Sequence, residues 1–439
     1  MTAPDAELNA ATLVRTLRDN GHVAYFAGGC VRDRLLGLSP KDYDVATDAP
    51  PDRVRELFKK TQAVGAAFGV ILVRLGGSVI EVATFRSDGV YADGRRPESV
   101  TFATAEEDAQ RRDFTINGLF FDPIESKLID YVGGQADLSA KILRAIGDPA
   151  ARFNEDHLRL LRAVRFAGRF DLTIEPATAA AIDRAVPLLP RISAERIADE
   201  LRRILTARAR DAGYRLLWRH RLLHVLLPTL AGDGHAPLDA SRSLLLNLAS
   251  GEPAAFPVAW LATVIDVRWQ GGGCKHDLLG NLVPADVAKL VHLTRTTLRL
   301  SNDELEAMAD IARLVHGVLD GAAPDDARLK RFLARESAGP ARQLLDALSA
   351  VGVAVERIAH LRPRLDALAG TEVAPPPLLT GDDLIRSGIR PGPAFKRVLD
   401  AVYDAQLNGT LADTAAALAM GRKLAETATP DRAQTQQRR

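Results

Sequence analysis

"YFAGGCVRDRLLGLSPKDYDVATDA", residues 25–49, sets a glycine pair and an arginine ahead of two aspartates. The run HVAYFAGG reads as a strand entering a turn at Gly28-Gly29, and VRDRLLG as a short helix closed by Gly37. YDVATD reads as a second strand, in which alternation places Asp42 and Asp44 on one face and Tyr43 on the other. Two carboxylates that close repel one another unless a cation lies between them. Their hard oxygens suit Mg²⁺, which takes one or two carboxylates and completes its shell with water and phosphate. The glycine pair lets backbone approach a ligand, and the amides that follow can cradle phosphate oxygens. Gly29 and Arg32, the latter a fixed charge suited to phosphate, are the expected grip. The spacing is neither the dinucleotide fingerprint Gly-x-Gly-x-x-Gly nor a Walker loop, which needs Gly-Lys-Ser/Thr. Asp-x-Asp alone also fits a solvated strand edge; beside the glycine turn it describes a triphosphate grip next to a metal site.

The flanking sequence mixes strands and helices up to residue 145. Residues 5–20 have Leu8, Ala11, Thr12, Val14 and Leu17 at helical spacing, and PPDRVRELF starts a helix on its prolines. GVILVRLGGSVIEVATF is a hairpin about Gly76-Gly77. Glu81, placed at the end of its second strand, could face the aspartate pair as a third carboxylate or lie exposed on the strand. After residue 145 the pattern is helical, with proline-bearing breaks at 187–190, 228–237, 253–257 and 375–377. The expected class is α+β: strands and helices with a short mixed sheet over residues 1–145, helices after it, a separate terminal module beyond the linker EVAPPPLLTG, and a disordered end over 426–439.

Bulk composition narrows the class. The 439 residues are 47% hydrophobic and 26% charged, with a net charge of +1, which suits a soluble globular protein of several domains whose nucleic-acid surface, if any, is a local patch. Aromatics at 5% leave few platforms for stacking single strands. The two cysteines, Cys30 and Cys274, make neither a disulfide framework nor a zinc set, and Cys30 reads as a small buried filler. No apolar run approaches the ~20 residues of a membrane span, and the expected location is the cytoplasm.

Several later motifs carry charge in pattern. RFNEDHLRLLRAVRFAGRF, residues 152–170, drawn as one helix, gathers Leu160, Leu161, Val164 and Ala167 on one arc and Asp156, Arg159, Arg162 and Arg165 on the other; a solvated face with an i, i+3 ion pair explains that too. ISAERIADELRRIL, residues 192–205, is a strong helix with Ser193 at its N-cap. GDDLIRSGIRPGPAFKRVLDAVYDAQLNGTL has a sharp turn at Gly388 and Gly392 before a helix near Pro393. Arg386, Arg390, Lys396 and Arg397 there suit phosphate contacts without base reading. A lone His276-Asp277 lacks the further histidines a metal phosphohydrolase needs, and Ile265-Asp266 stands where another His-Asp pair could have been.

GGCVRD…KDYD, IEVATFR and EEDAQRRDFTINGLFFDP resemble, in order and spacing, the bacterial class II polymerase-β-like nucleotidyltransferases, the group of CCA-adding tRNA nucleotidyltransferases and bacterial poly(A) polymerases. The resemblance covers residues 22 to about 205 and extends to the final module, and it implies a catalytic head over 1–145, a helical neck over 146–210, a helical body over 211–374 and a helical tail over 375–425. It implies that Asp42 and Asp44 bind catalytic Mg²⁺, and Glu81 is a catalytic candidate whose part as a metal ligand stays open. It also implies that Arg112 is a ribose or phosphate ligand with Asp113 as its orienting partner, and that Asp156 and Arg159, in the Glu-Asp-x-x-Arg motif, read the base. The chemistry agrees: cytosine and adenine each present an amino donor beside a ring-nitrogen acceptor, complementary to a carboxylate and a guanidinium, whereas guanine and uracil reverse both roles. Arg162 and Arg165 would reach ribose or phosphates or hold that pair. YADGRRP, residues 91–97, resembles the loop the family needs to switch from C to A addition, and the tail resembles the part that holds the tRNA elbow. The implied activity is CCA addition to tRNA from CTP and ATP. Poly(A) synthesis, A-only addition and an inactive RNA-binding protein are the alternatives, and the sequence assigns no oligomeric state.

Overall fold

A computed structural model describes residues 3–65, 69–89, 99–232, 236–248, 253–270, 278–389 and 395–428. The chain divides into two compact units, residues 1–238 with 297–299, and residues 239–296 with 300–439.

The first unit opens with α1 (Ala3–Asp19), β1 (Ala24–Ala27), α2 (Gly29–Leu35), β2 (Val45–Thr47) and α3 (Pro51–Leu57). Strands β3 (Thr61–Gly65), β4 (Val70–Leu75) and β5 (Ser78–Thr84) follow, then the ribbon of β6 (Arg86–Asp88) with β7 (Val100–Phe102), helix α4 (Ala105–Gln110), and β8 (Leu119–Asp122) with β9 (Lys127–Asp130). Seven strands form one mixed sheet in the order β3-β4-β5-β2-β1-β8-β9, with β2 and β5 parallel and every other neighbouring pair antiparallel. The β4–β5 hairpin turns on Gly76 and Gly77, whose φ angles of 56° and 86° favour glycine.

Helix α1 covers one face of this sheet. Its buried stripe is Ala10, Leu13, Val14 and Leu17, each 0% exposed, packed with Phe26, Val45, Ile71, Val73, Ile80 and Val82. The sequence pattern starts the apolar face at Leu8 and Ala11, but Leu8 is 67% exposed, because the i, i+3, i+4, i+7 phase that faces the sheet starts at Ala10. Each fully buried Leu or Val contributes ~1.5–3 kcal/mol, so this stripe fixes α1 on the sheet.

The helical part of the first unit runs α5 (Gly134–Ser139), α6 (Pro149–Glu155), α7 (Arg159–Phe170), α8 (Pro176–Ala185), α9 (Ala194–Leu205), α10 (Arg210–Arg219), α11 (Leu222–Leu226) and α12 (Pro228–Ala231). A short parallel bridge of β10 (Ile142–Leu143) with β11 (Thr173–Ile174) lies inside it. Residues 152–170 are thus two helices and not one: the chain leaves α6 at Asp156, where φ and ψ are −140° and 104°, and re-enters a helix at Arg159. Hydrophobic periodicity runs through the break, which is why the sequence hid it.

The second unit contains α13 (Leu244–Asn247), α14 (Phe256–Gln270), most of α15 (Pro284–Leu298), α16 (Asn302–Leu319), α17 (Asp326–Leu333), α18 (Ala338–Ala350), α19 (Val355–Ala369), α20 (Gly381–Arg386), α21 (Phe395–Leu407) and α22 (Thr414–Ala428), with no strand among its described residues. Helices α20 to α22 share a small core on Leu379, Leu384, Val398, Val402 and Ala417. Tyr403 Oη and Gln406 Nε2 donate to the carbonyls of Pro375 and Pro376, each at 2.9 Å, and Asp404 pairs with Arg331 of α17 at 2.6 Å. The proline run is therefore held on α21, and the tail is tied to α17. Helix α22 continues to Ala428, past the expected start of disorder at 426. Asp266 is 0% exposed and accepts from Ser243 Oγ at 2.6 Å and from the amides of Leu244 and Leu245 at 2.7 and 3.2 Å, which ties α14 to the start of α13. No helix among the described residues is long and apolar enough to cross a membrane. His276, Asp277, Cys274 and the expected loop at 91–97 lie outside the described residues.

Candidate active site

On the sheet face away from α1, the small side chains of Ala27, Ala46 and Ala83 floor a concavity of about 210 Å³. Asp44, Glu81, Arg86, Arg111 and Arg112 stand in its wall. Parallel pairing sets Val45 of β2 beside Val82 of β5, so one residue back along both strands Asp44 comes beside Glu81. Glu81 is the fourth of the seven residues of β5, not its last, and points to this open face between the buried Ile80 and Val82.

Strand β2 itself begins only at Val45. Asp42 and Asp44 precede it, because β1 turns away at Gly28 and leaves residues 42 and 43 without a ladder partner; the Asp44 carbonyl still accepts from the Ala27 amide at 2.9 Å. Alternation survives the loss of pairing: Tyr43 is buried in the α1-side core while Asp42 and Asp44 are exposed. The Asp44 carboxyl reaches solvent through the concavity, yet the protein packed around it, then the charges of Glu81 and Asp42, push its pKa up to about 6 against the opposing pull of Arg112. Asp44 and Glu81 line the concavity, and Asp42 is not among its lining residues.

Among the described residues no three His, Cys, Asp or Glu side chains converge tightly enough to cage a metal. The donor set nevertheless fits a divalent cation. It offers hard carboxylate oxygens, the crowding of Asp44 is relieved by positive charge, and Mg²⁺ needs only one or two carboxylates beside substrate phosphates.

Gly28 has φ +67°, and a Cβ there would stand 2.9 Å from Arg112 Nη1, so the glycine turn and this guanidinium fit together only without a side chain. Arg112 also donates to the Asn117 carbonyl at 3.2 Å. Its orienting carboxylate is Asp108, reached at 3.1 and 2.9 Å, and not the expected Asp113. Asp108, 1% exposed, binds Arg111 as well, at 2.7 Å. Burial opposes its ionisation, but Arg112 and Arg111 win and lower its pKa. Asp113 serves another arginine: it accepts from Arg162 Nη2 at 2.7 Å, from Asn117 Nδ2 at 2.9 Å and from the Phe114 amide at 2.8 Å. Burial raises its pKa, and Arg162, Asn117 and Arg159 together outweigh that and hold it at about 2.

Arg32 is 5% exposed and points inward. It donates to Asp33 at 2.9 and 2.6 Å and to Asn117 Oδ1 at 2.6 Å, and its guanidinium lies 4.4 Å from the Phe170 ring centroid. Desolvation lowers its pKa. The structure thus places Arg32 behind the glycine turn, linking α2 to Asn117 and α7, and away from the concavity; a residue flanked by the turn glycines gave no sign of that in sequence. Cys30 is 4% exposed, and burial and then Asp44 push its thiol up to about 11, in keeping with a filler.

The α6–α7 break separates the partners of the expected base-reading pair. Asp156 accepts from the Leu158 amide at 3.1 Å and pairs with Arg196 of α9 at 3.0 Å. Arg159 pairs with Glu155 at 2.7 Å and donates to the Arg152 and Arg111 carbonyls at 3.1 and 3.3 Å. The last bond brings Arg159 to the backbone of a residue that lines the concavity. Arg165 forms a buried ion pair with Glu200 of α9 at 2.7 Å, and desolvation lowers its pKa to about 10.

Known proteins carry the same framework. Residues 24–144 match the family model described as the Poly A polymerase head domain, and residues 171–233 match the probable RNA and SrmB-binding site of polymerase A. A CCA-adding enzyme of Lacticaseibacillus paracasei is 34% identical over 415 residues, 94% of each chain. The chain belongs to the CCA-adding enzyme and poly(A) polymerase family. It is accordingly a nucleotidyltransferase. Poly(A) polymerase I of Salmonella typhi is 41% identical over 237 residues, 52% of this chain and 51% of that one. The crystal structure of the Bacillus stearothermophilus CCA-adding enzyme in complex with CTP superposes with a TM-score of 0.75 at 28% identity, covering 97% of this chain and 100% of the other.

Within this family framework the tail residues are placed as follows. Arg386 is exposed on α20 and paired with Asp383; Lys396 and Arg397 are exposed in the first turn of α21; Arg390 lies outside the described residues. Sequence reasoning missed Asp108, Glu155, Arg196 and Glu200 as partners of the site arginines. Two of them were detectable, since Asp108 precedes Arg112, and Glu155 precedes Arg159, by four residues, the spacing at which helical side chains meet.

Proposed function

We propose that the protein adds C, C and A to the 3′ end of tRNA without a nucleic-acid template, using CTP and ATP and releasing pyrophosphate. The carrying observation is the extent of the likeness: a CCA-adding relative aligns over 94% of both chains, and the CCA-adding enzyme structure with CTP covers 97% of this chain and 100% of the other. The tRNA 3′-hydroxyl oxygen attacks the α-phosphorus of the nucleotide, the bond from that phosphorus to the bridging oxygen of the β-phosphate breaks, and pyrophosphate departs. Asp44 and Glu81, with Asp42 beside them, would hold Mg²⁺. When bound, the cation lowers the proton affinity of the attacking hydroxyl and neutralises charge on the phosphates.

Arg111 and Arg112, aimed by Asp108, supply positive charge to the triphosphate, and the Gly28-Gly29 backbone approaches it. Arg32 braces that turn from behind. Asp156 can accept from the amino group of C or A while still bound by Arg196, because a carboxylate has about four acceptor sites. Arg159, with five donors against the three bonds described, can give one to the ring nitrogen. Arg162, with Asp113, and Arg165, with Glu200, hold α7 in place. Arg386, Arg390, Lys396 and Arg397 would meet tRNA phosphates, and the cytoplasm is the inferred place of the reaction. Incubating purified protein with each nucleotide alone, on tRNA transcripts ending before CCA, after CC and after CCA, tests this. C should join only the first, A only the second, and G or U none. A incorporation on all three ends would mark a poly(A) polymerase.

A further inference from the structure

Glu7 of α1 lies outside the two family-model segments, 24–144 and 171–233, yet it bonds a side chain of the aspartate loop and one of α2. Its Oε2 accepts from Tyr43 Oη at 3.0 Å, and its Oε1 pairs with Arg34. Tyr43 sits between Asp42 and Asp44 with its side chain on the opposite face, 7% exposed, and its ring centroid 5.2 Å from that of Phe26. Arg34 lies in α2, which begins at Gly29, and its guanidinium is 4.5 Å from the Phe121 ring centroid. Residues 42 and 43 have no ladder partner, so β1 holds this loop only through the Ala27 amide on the Asp44 carbonyl, and Asp42 has no such anchor. One carboxylate therefore ties the loop that carries the aspartates to the helix that follows the glycine turn.

We infer that Glu7, acting through Tyr43 and Arg34, is a positioning residue that sets the spacing between the aspartate loop and the glycine turn, and so the affinity of the aspartates for a divalent cation. The inference rests on the nucleotidyltransferase reading and concerns how that site is held. A hydrogen bond from Tyr43 anchors the loop at the residue between the two ligands, so its loss loosens the side of the loop that carries Asp42 and the spacing of Asp42 to Asp44. The core around α1 is built from Ala10, Leu13, Val14 and Leu17 and does not depend on Glu7, which is partly exposed.

The test uses full-length protein with Tyr43→Phe, Glu7→Gln, Glu7→Ala and the Tyr43→Phe/Glu7→Gln pair. Mn²⁺ alone is titrated by electron paramagnetic resonance, and nucleotide incorporation is followed against Mg²⁺ and against CTP. Each variant should bind Mn²⁺ ~3–10-fold more weakly and need correspondingly more Mg²⁺, with KM for CTP at saturating metal and Tm close to the parent. Glu7→Gln, whose amide oxygen can still accept from Tyr43, should recover part of the loss of Glu7→Ala, and the double variant should be no worse than the poorer single. Parental Mn²⁺ affinity in Tyr43→Phe and Glu7→Ala would overturn the inference, as would losses that track Tm alone. Failure of the parent itself to incorporate nucleotides would instead strike the proposed function, since the Mn²⁺ titration reads the positioning without catalysis.

Discussion

Asp44 concentrates the chemistry of the head in one side chain. It shares the concavity wall with Glu81 and three arginines, and its raised pKa reflects the protein packed around a carboxyl that still reaches solvent, then the negative charges of Glu81 and Asp42. Asp44→Asn should lower incorporation by about a thousand-fold, the loss of ~4 kcal/mol of transition-state stabilisation, while tRNA affinity in a filter-binding assay stays within about two-fold. Asp113 differs in kind, because it is buried and braced by Arg162, and its pKa is about 2. A carboxyl lowered from ~3.9 stabilises the fold above the unfolded value, by ~2 kcal/mol here. That contribution is present in full above about pH 5, is roughly half gone by pH 3, and vanishes as pH falls through the folded value. Urea unfolding at pH 6 and pH 3 should therefore show a wider gap between parent and Asp113→Asn at pH 6; an equal gap at both would deny the bracing. That Asp42 and Asp44 share a side was legible because alternation persists in the unpaired residues before β2, whereas the place of Glu81, mid-strand beside Asp44, depends on the parallel β2–β5 pairing. The inward turn of Arg32 was not, since whether an arginine faces solvent or a pair of phenylalanines depends on α7, more than a hundred residues away.

At the scale of elements, β1, β2, the β4–β5 hairpin and the presence of α1 were legible from period, whereas the order of the seven strands and the phase of α1 were not, and the α6–α7 break was hidden by apolar spacing that continues across it. The break matters because it frees Asp156 and Arg159 from each other: the first leans on α9, the second on Glu155 and the Arg111 backbone. A single continuous helix would let the two pair and cancel. Losing either should cost the correct bases ~1–3 kcal/mol through an unpaired buried partner and cost G and U little. Measuring incorporation of all four nucleotides by Asp156→Ala and Arg159→Ala checks this; reduced activity with the C and A preference intact would assign both to structure alone. The glycine turn makes a second prediction at this scale. Gly28→Ala forces a Cβ towards Arg112 at a φ of +67°, so the KM for CTP should rise several-fold and stability fall by ~1–2 kcal/mol. An unchanged KM would separate Arg112 from the triphosphate.

Over the whole molecule, likeness to CCA-adding enzymes continues through the helical second unit, where the sequence offered only a proline linker and a basic turn as signals. The linker proved to be pinned on α21, so the tail is best tested by point substitution and not by removal. Lys396→Glu with Arg397→Glu should weaken tRNA binding, flatten its dependence on log salt by ~1 for each phosphate no longer neutralised, and leave the KM for CTP unchanged; an unaltered salt slope would leave these residues without RNA. Length and sequence of product join head, the proposed base-reading helix and the tail in one readout. A tRNA transcript ending before CCA, incubated with excess CTP and ATP and then sequenced at its 3′ end, should gain C, C, A and stop at three nucleotides even on long incubation. A growing run of A, or no addition until CC is already present, would contradict CCA synthesis by this protein.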